Sequence, residues 1–319
     1  MKIPFTPEIR AMAAGLAAMD RALSDAIPRL LKRAEEAADG LMLGIPAAEY
    51  RAWPDWSQSA VKLLPGGPEL FHGYHVAKPP LYVRPKTAAM DTGTILHACC
   101  LEGVSLEHFI IPAEVLSASG SRAGTAWKAW EAARGDTPAI KANEAFPLRK
   151  MLGSVFAEPQ AAKLLRAPGP IEVCKQWRHA KTGLPMKLRA DKIAELKDTR
   201  VAIDLKSTRD PTERGFARAC FDLGYHRQAA WYLDGLCGAD TPIDRLWPFV
   251  FIAVRNEPPY ECFVWELSAR SIDLGRQEND AALADLATRL ETDNWHGPQF
   301  GKVNMIDLPK WAFTRGENL

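Results

Sequence analysis

The chain has 319 residues, of which 47% are hydrophobic and 25% charged, and its formal net charge is +1 at pH 7. This composition is typical of a globular protein and argues against intrinsic disorder. No apolar run approaches the roughly 18 residues of a membrane span, and no signal-like stretch follows the N-terminus, so we expect a cytoplasmic protein that does not associate with membranes.

The sequence of the N-terminal third predicts an appended helical segment, followed by a segment with little regular secondary structure. Residues 8–40 carry an alanine-rich helical pattern ending at Gly40, which predicts a helical extension over 1–40 and a main domain over 41–319. A short helix is expected at S-Q-S-A-V-K-L-L. The segment D-T-G-T-I-L-H-A-C-C-L-E predicts a helix capped by Asp91 or Thr92, with His97 among its apolar residues.

The rest of the chain alternates between helices and a few strands. The small-residue loop S-A-S-G-S-R-A-G leads into a helix at T-A-W-K-A-W, and residues 143–166 predict two further helices. A hairpin, a helical stretch over 211–238, two strands near W-P-F-V-F-I-A-V-R and Y-E-C-F-V-W-E-L, and a final helix over 268–292 follow. Helices around a small mixed β-sheet predict an α/β or α+β sandwich.

The predicted hairpin R-A-D-K-I-A-E-L-K-D-T-R-V-A-I-D-L-K-S-T places charge inside an apolar strand pattern. Because side chains alternate with period two, Asp204 and Lys206 share one face while Leu205 faces the other. Lys187, Arg189 and Asp191 likewise share one side of the preceding strand. Pairing of the two strands would bring Asp191 close to Asp204 and Lys206.

The charge distribution suggests a polyanionic substrate despite the low net charge. Residues 141–206 contain 14 Lys/Arg and 7 Asp/Glu, and this basic stretch surrounds the two acidic positions. A positive field beside carboxylates suits a polyanion such as a nucleic acid. A solvated charged surface is the alternative interpretation.

Two carboxylates on adjacent strands can share a divalent cation, because Mg²⁺ and Mn²⁺ take oxygen ligands. The backbone carbonyl of Leu205 is a further candidate ligand, and Lys206 could orient water or neutralise developing charge. A surface salt bridge across the hairpin would explain the same D-x-K pattern without any catalysis.

Three other positions are weaker candidates. Gln228 and Tyr232 are four residues apart, so they would stack on one helix face and could hydrogen-bond a phosphate or a base. His97 could be a metal ligand or a histidine satisfied in the core, and Glu102 could bind or face solvent. The six cysteines show no C-x-x-C pair, which predicts reduced thiols and no iron-sulfur cluster or zinc.

These signals, in the chain order histidine, aspartate, D-x-K and Q-x-x-x-Y, resemble the PD-(D/E)xK nuclease superfamily, and more narrowly the phage and prophage exodeoxyribonuclease VIII (RecE-type) group. The similar segments include G-T-I-L-H-A-C-C-L-E, R-A-D-K-I, I-D-L-K-S-T-R-D and G-Y-H-R-Q-A-A-W-Y-L-D-G, within a span from residue 45 to the L-P-K-W-A tail. Two positions depart from the usual pattern. Ala190 stands where proline usually precedes the first aspartate, and Asp204 stands where glutamate is common.

The resemblance implies a restriction-endonuclease-like fold with Mg²⁺ or Mn²⁺ as cofactor and no iron-sulfur cluster. It implies that His97, Asp191, Asp204 and Leu205 bind metal, that Asp191, Asp204 and Lys206 are catalytic, and that Gln228, Tyr232, Glu102, Arg189 and Lys187 are accessory or DNA-binding residues. The expected activity is exonucleolytic removal of the 5′ strand from double-strand DNA ends. A homo-oligomeric ring and a single-strand annealing (RecT-type) partner are also implied.

Two alternatives stay open from the sequence. The first is an endonuclease of the same superfamily, which would cut closed circular DNA as well as linear duplex. The second is a catalytically idle DNA-binding or assembly module that keeps the fold. The presence of both aspartates and Lys206 favours an active enzyme over the idle module.

Overall fold

The computed structural model describes residues 40–83, 85 and 87–309. The predicted helical extension therefore lies outside the described residues apart from Gly40, as does most of the L-P-K-W-A tail. In the described part, a six-stranded mixed β-sheet lies between two layers of helices. The predicted α/β fold class, a small mixed sheet flanked by helices, is confirmed.

The sheet is built from short strands joined by helical segments. The strands are β1 (Trp56–Ser57), β2 (Ile171–Arg178), β3 (Pro185–Glu195), β4 (Arg200–Thr208), β5 (Phe249–Arg255) and β6 (Cys262–Glu266). The α-helices are α1 (Ala47–Ala52), α2 (Gln58–Val61), α3 (Pro68–Phe71), α4 (Ala88–Leu101), α5 (Thr125–Arg134), α6 (Ala145–Ala157), α7 (Pro159–Arg166), α8 (Glu213–Asp222), α9 (Tyr225–Cys237) and α10 (Ala269–Thr292).

The sheet splits along one edge of β3. Strand β2 runs antiparallel along the other edge of β3, from Pro185 to Lys192. On the split edge, β1 pairs with Met186 and Lys187, and β4 pairs with β3 only from Lys192 onward. Residues 188–191 of β3 therefore have no strand partner on that edge, while β4 turns away to run parallel with β5. We call this opening between β3 and β4 the fork.

Strand β5 divides the core into two layers because its side chains alternate between the faces of the sheet. One face meets α2, α3 and α8 to α10, and the opposite face meets α4, α6 and α7. The residues of β5 on the first face are Phe249, Phe251 and Ala253, and those on the second are Val250, Ile252 and Val254.

Helix α9 is held tightly against the fork. The indole Nε1 of Trp231 donates a hydrogen bond of 3.0 Å to the Lys187 carbonyl, close to where β3 lacks a strand partner. On its other side α9 crosses α10 so closely that a Cβ on Gly275 would lie 2.3 Å from the His226 carbonyl oxygen. The two contacts fix the position of α9 beside β3 and β4.

Most predicted elements are confirmed, including the hairpin, the two strands after it and the helices over 143–166, 211–238 and 268–292. The predicted start of α4 is wrong. The helix begins at Ala88, because the Thr87 hydroxyl caps it by accepting a hydrogen bond from the Met90 amide. Strand β2 was not predicted, and all six cysteines carry free thiols. Within the described ranges, every helix is too short or too polar to cross a membrane.

Candidate active site

Both predicted aspartates lie at the mouth of the fork. The last pair of the β3–β4 ladder joins Lys192 to Ile203, and Asp191 and Asp204 are the next residues along the two strands. Where the ladder stops, the Asp191 carboxylate replaces a backbone acceptor, since its Oδ2 accepts a hydrogen bond of 2.9 Å from the Leu205 amide. The end of strand pairing therefore brings the two acidic side chains together.

Asp204 is the most buried acidic residue of this cluster, with only 1% of its surface exposed. Its Oδ1 accepts a hydrogen bond of 2.6 Å from Gln228 Nε2, and its Oδ2 lies 2.5 Å from Lys206 Nζ. The Lys206 ammonium also donates to Gln228 Oε1 at 3.1 Å. One amide on α9 thus fixes both members of the D-x-K pair, which excludes the solvent-exposed salt bridge considered from the sequence.

His97 approaches the fork from α4, on the opposite face of the sheet from α9. Its Nε2 lies 2.7 Å from the Leu205 carbonyl oxygen. Because a carbonyl only accepts, Nε2 carries the hydrogen and Nδ1 faces Asp191 Oδ2 at 3.4 Å. The cluster therefore joins two strands and helices from both layers.

Two tyrosines on α9 complete the surroundings. Tyr232 hydrogen-bonds Gln228, and burial raises its pKa well above the ordinary value, so it is a neutral hydroxyl near the carboxylates. The ring of Tyr225 lies beneath the Lys206 ammonium, 4.7 Å from its centroid. Sequence reasoning missed Tyr225, although its position three residues before Gln228 places it on the same helix face.

The remaining predicted residues are placed outside this cluster. Lys187 is buried, and its ammonium donates to the carbonyls of Trp53 and Tyr50 at 2.7 and 3.0 Å at the end of α1. Those bonds give it a structural role and keep it from presenting charge to DNA. Arg189 is ion-paired with Glu172. Glu102 is exposed at the end of α4, and no hydrogen bond joins it to the cluster within the part of the chain that the structure describes.

The cluster favours positively charged partners for its carboxylates. Burial raises the pKa of Asp191 above its ordinary value, and Asp204 adds to this while His97 opposes it. Burial alone would lower the pKa of His97 and of Lys206, yet the two carboxylates raise both. Both cationic forms are therefore stabilised by the pair of aspartates.

The carboxylate and carbonyl oxygens of the cluster are ligands of the kind that a hard divalent cation prefers. No three His, Cys, Asp or Glu side chains in the described ranges form a preassembled metal site, because Asp204 is directed toward Lys206 and His97 toward the Leu205 carbonyl. However, Asp204 Oδ2 is buried, and in the described residues it contacts the Lys206 ammonium. With a neutral His97 ring, Nδ1 and Asp191 Oδ2 would be two acceptors facing each other. A cation shared by the cluster would relieve that repulsion and give Asp204 Oδ2 a second positively charged partner.

Comparisons with known proteins agree with this architecture. The family described as "PDDEXK-like domain of unknown function (DUF3799)" matches residues 76–309, well over half of the chain. A search of curated proteins finds no match.

One solved structure supports the fold over most of the chain. The crystal structure of a "Putative exonuclease" from Eubacterium rectale aligns with a TM-score of 0.55 and 14% identity, covering 86% of this chain and 100% of that one. The crystal structure of SSO0001 covers 42% of this chain and 70% of its own at 14% identity, and its TM-score of 0.23 carries no weight. By its fold and by the family match, this chain belongs to the PDDEXK-like domain family DUF3799.

Proposed function

We propose that this protein is a metal-dependent DNA exonuclease that degrades the 5′ strand from double-strand ends, in phage-type recombination by single-strand annealing. The observation that carries the proposal is the fork itself, where Asp191, Asp204 and Lys206 converge and the buried Oδ2 of Asp204 contacts the Lys206 ammonium. The family match and the exonuclease description of the Eubacterium rectale protein support a nuclease. The strand polarity and the recombination role rest on the RecE-type resemblance.

Asp191, Asp204, His97 and the Leu205 carbonyl would hold one or two Mg²⁺ or Mn²⁺ ions. Such an ion, when bound, supplies Lewis-acid stabilisation of negative charge on the phosphodiester. The protein's own contribution is orientation. The Leu205 amide fixes Asp191, and Gln228 fixes Asp204, so neither carboxylate has to be ordered when substrate arrives.

Lys206 remains an ammonium, because the carboxylates raise its pKa, and it therefore donates hydrogen bonds rather than abstracting a proton. We assign it to holding the attacking water and neutralising charge on the phosphate oxygens. Gln228 and the Tyr225 ring keep the ammonium at the fork. They act as positioning residues, whereas Asp191, Asp204 and Lys206 contact the reacting groups.

The charge pattern supports a nucleic-acid substrate. The basic segment 141–206 includes α6, α7 and β2 to β4, the elements around and beneath the fork. Neither Lys187 nor Arg189 is well placed to supply this field, since the first is buried against carbonyls and the second is paired with Glu172. Attraction of DNA therefore rests on the other basic residues of this segment.

Several broader assignments belong to the same proposal. The main domain is residues 41–319, the protein acts in the cytoplasm as a homo-oligomeric ring, and a RecT-type annealing protein receives the exposed strand. The ring and the annealing partner follow from the resemblance to the RecE-type group. The domain boundary and the location follow from the sequence pattern. An endonuclease of the same superfamily and an idle DNA-binding module are the competing functions.

The test is digestion of a linear duplex labelled at one 5′ end, with Mg²⁺ and with a chelator, beside a closed circular duplex. We expect short labelled products from the linear duplex only, and only with Mg²⁺. Asp204→Asn should abolish cleavage. Asp222→Asn is the matched control, because Asp222 is exposed and forms an ion pair with Arg218 on the same helix, α8.

The competing functions predict different digestion patterns. Cutting of the closed circle would indicate an endonuclease. Cleavage that survives in Asp204→Asn would refute the assigned site, and wild-type protein that binds linear ends without cutting them would indicate the idle module.

A further inference from the structure

A groove leads from the catalytic end of β4 to α5. Its inner part is a cavity of about 430 Å³ that is lined by Ser207, the residue after Lys206, and by Asn256 at the end of β5. A second cavity of about 170 Å³ continues it, and Asp91, Arg122 and Ala139 line both. A strand leaving the fork along this groove would pass directly over α5.

Helix α5 and the loop just before it bring two tryptophans and two arginines to this groove. The rings of Trp127 and Trp130 have centroids 5.4 Å apart and planes inclined by 36°. The Arg134 guanidinium carbon lies 4.6 Å from the Trp130 centroid, and that of Arg122 lies 6.0 Å from the Trp127 centroid. All four line the second cavity, and together we call them the Trp–Arg platform.

Core packing explains only part of the platform, because Trp127 is 7% exposed whereas Trp130 is half-buried. Neither tryptophan belongs to the two hydrophobic clusters that fill the faces of the sheet. Arg134 donates through Nη2 to the Pro138 carbonyl at 3.1 Å, but its Nε is buried with no hydrogen-bond partner. A buried donor without a partner costs free energy, and a ligand in the adjoining cavity would remove that cost by supplying an acceptor.

Charge alone does not account for binding here. Arg122 is ion-paired with Glu144 at 3.1 Å. Asp91 and Glu131 also line the second cavity, so a phosphate would find little net attraction. Stacked flat groups, by contrast, gain from indole rings and from guanidinium planes. The chemistry therefore favours the bases of a single strand over the backbone of a duplex.

We propose that the Trp–Arg platform stacks the bases of single-stranded DNA that passes between the groove and the catalytic fork. This inference rests on the proposed nuclease function and adds the surface that holds the unpaired strand. Stacking tolerates any sequence because every base has a π-face, as an exonuclease requires. The acceptor atoms of the bases would also satisfy Arg134 Nε.

The test measures binding of a fluorescein-labelled oligo-dT to the full-length protein by anisotropy in the presence of a chelator, where no cleavage occurs. Arg134→Gln and Trp130→Leu should each raise Kd about tenfold or more. The matched control is Arg218→Gln, because Arg218 is an exposed arginine of α8 that lies outside the basic segment 141–206 and pairs with Asp222 at 3.2 Å. It should bind as tightly as the wild type.

Two results would overturn the platform. The first is unchanged oligo-dT binding in both variants, or equal weakening in Arg218→Gln. The second is displacement of the oligonucleotide by closed circular duplex as readily as by unlabelled single strand. With Mg²⁺ and linear duplex, both variants should raise KM and leave kcat within about twofold.

The two proposals fail separately. A wild-type protein that cuts no DNA but binds oligo-dT through Trp130 and Arg134 would refute the exonuclease and retain the platform. Normal digestion with unaltered variants would refute the platform alone.

Discussion

Replacing Gln228 should damage both stability and catalysis, because one amide connects the two charged groups of the D-x-K pair. Its Nε2 donates to Asp204 at 2.6 Å, and its Oε1 accepts from Lys206 at 3.1 Å. Gln228→Leu keeps an apolar stem of similar shape but removes both of these hydrogen bonds, together with the one to Tyr232. It also leaves Asp204 Oδ1 without a donor at a residue that is 1% exposed.

The expected size follows from the charge and burial of the two partners. A hydrogen bond to a charged group contributes about 1.5–3 kcal/mol, and an unpaired buried acceptor costs a comparable amount. The two bonds share one side chain and are not additive, so we expect the free energy of unfolding to fall by about 3 kcal/mol. With the carboxylate and ammonium released, kcat should fall by about 10- to 100-fold while KM changes little.

Urea unfolding measures the first effect, and digestion of linear duplex with Mg²⁺ measures the second. Gln277→Leu on α10 is the matched control, because Gln277 makes the same kind of bond to Asp273, at 2.7 Å, on an exposed surface. It should change stability by less than about 0.5 kcal/mol. Equal losses in the two variants would refute the argument that Gln228 contributes strongly because its partners are buried at the fork.

Two further predictions concern stability away from the fork. Gly275→Ala should lower the free energy of unfolding, measured in urea, by about 1–3 kcal/mol, because its Cβ would meet the backbone of α9. Gly153→Ala in α6 is the control, since the space around Gly153 is open, and it should leave the free energy of unfolding unchanged or raise it by up to about 1 kcal/mol. Burial alone would raise the pKa of Asp280, but hydrogen bonds from Lys181 and His179 hold it below its ordinary value. The ionised Asp280 carboxylate therefore stabilises the fold above about pH 4, and this stabilisation is lost as pH falls through the lower folded pKa. The loss of unfolding free energy in Asp280→Asn should therefore be smaller at pH 3 than at pH 7. A loss that is independent of pH would contradict this argument.

The sequence predicted elements whose signals are local. Period-two alternation located β3 and β4, and the Lys197-Asp198-Thr199 turn located the hairpin between them. The segments W-P-F-V-F-I-A-V-R and Y-E-C-F-V-W-E-L indicated β5 and β6. Strand β2 was missed because its outer half alternates between exposed and half-buried positions and follows the helix-like run of α7. The start of α4 could not be chosen, since Thr87, Asp91 and Thr92 are all able to cap a helix.

The same distinction applies to the candidate site. The sequence predicts that Asp191, Asp204 and Lys206 converge, because this needs only strand alternation and a hairpin, and both are local features. That Lys187 is unavailable depends on α1, whose carbonyls lie more than 130 residues away in sequence. No pattern within β3 separates a lysine that caps a helix from one that faces DNA.

The fork also explains why position 190 does not need the proline that usually precedes the first aspartate. Ala190 is 1% exposed and paired with Val173 of β2, so the strand edge that carries the chemistry is the one on the opposite side of β3. What positions Asp191 is the missing partner on that edge and the Leu205 amide that takes its place. The requirement at 190 is therefore a small buried side chain, and the geometry of the acidic pair depends on where the β3–β4 ladder ends.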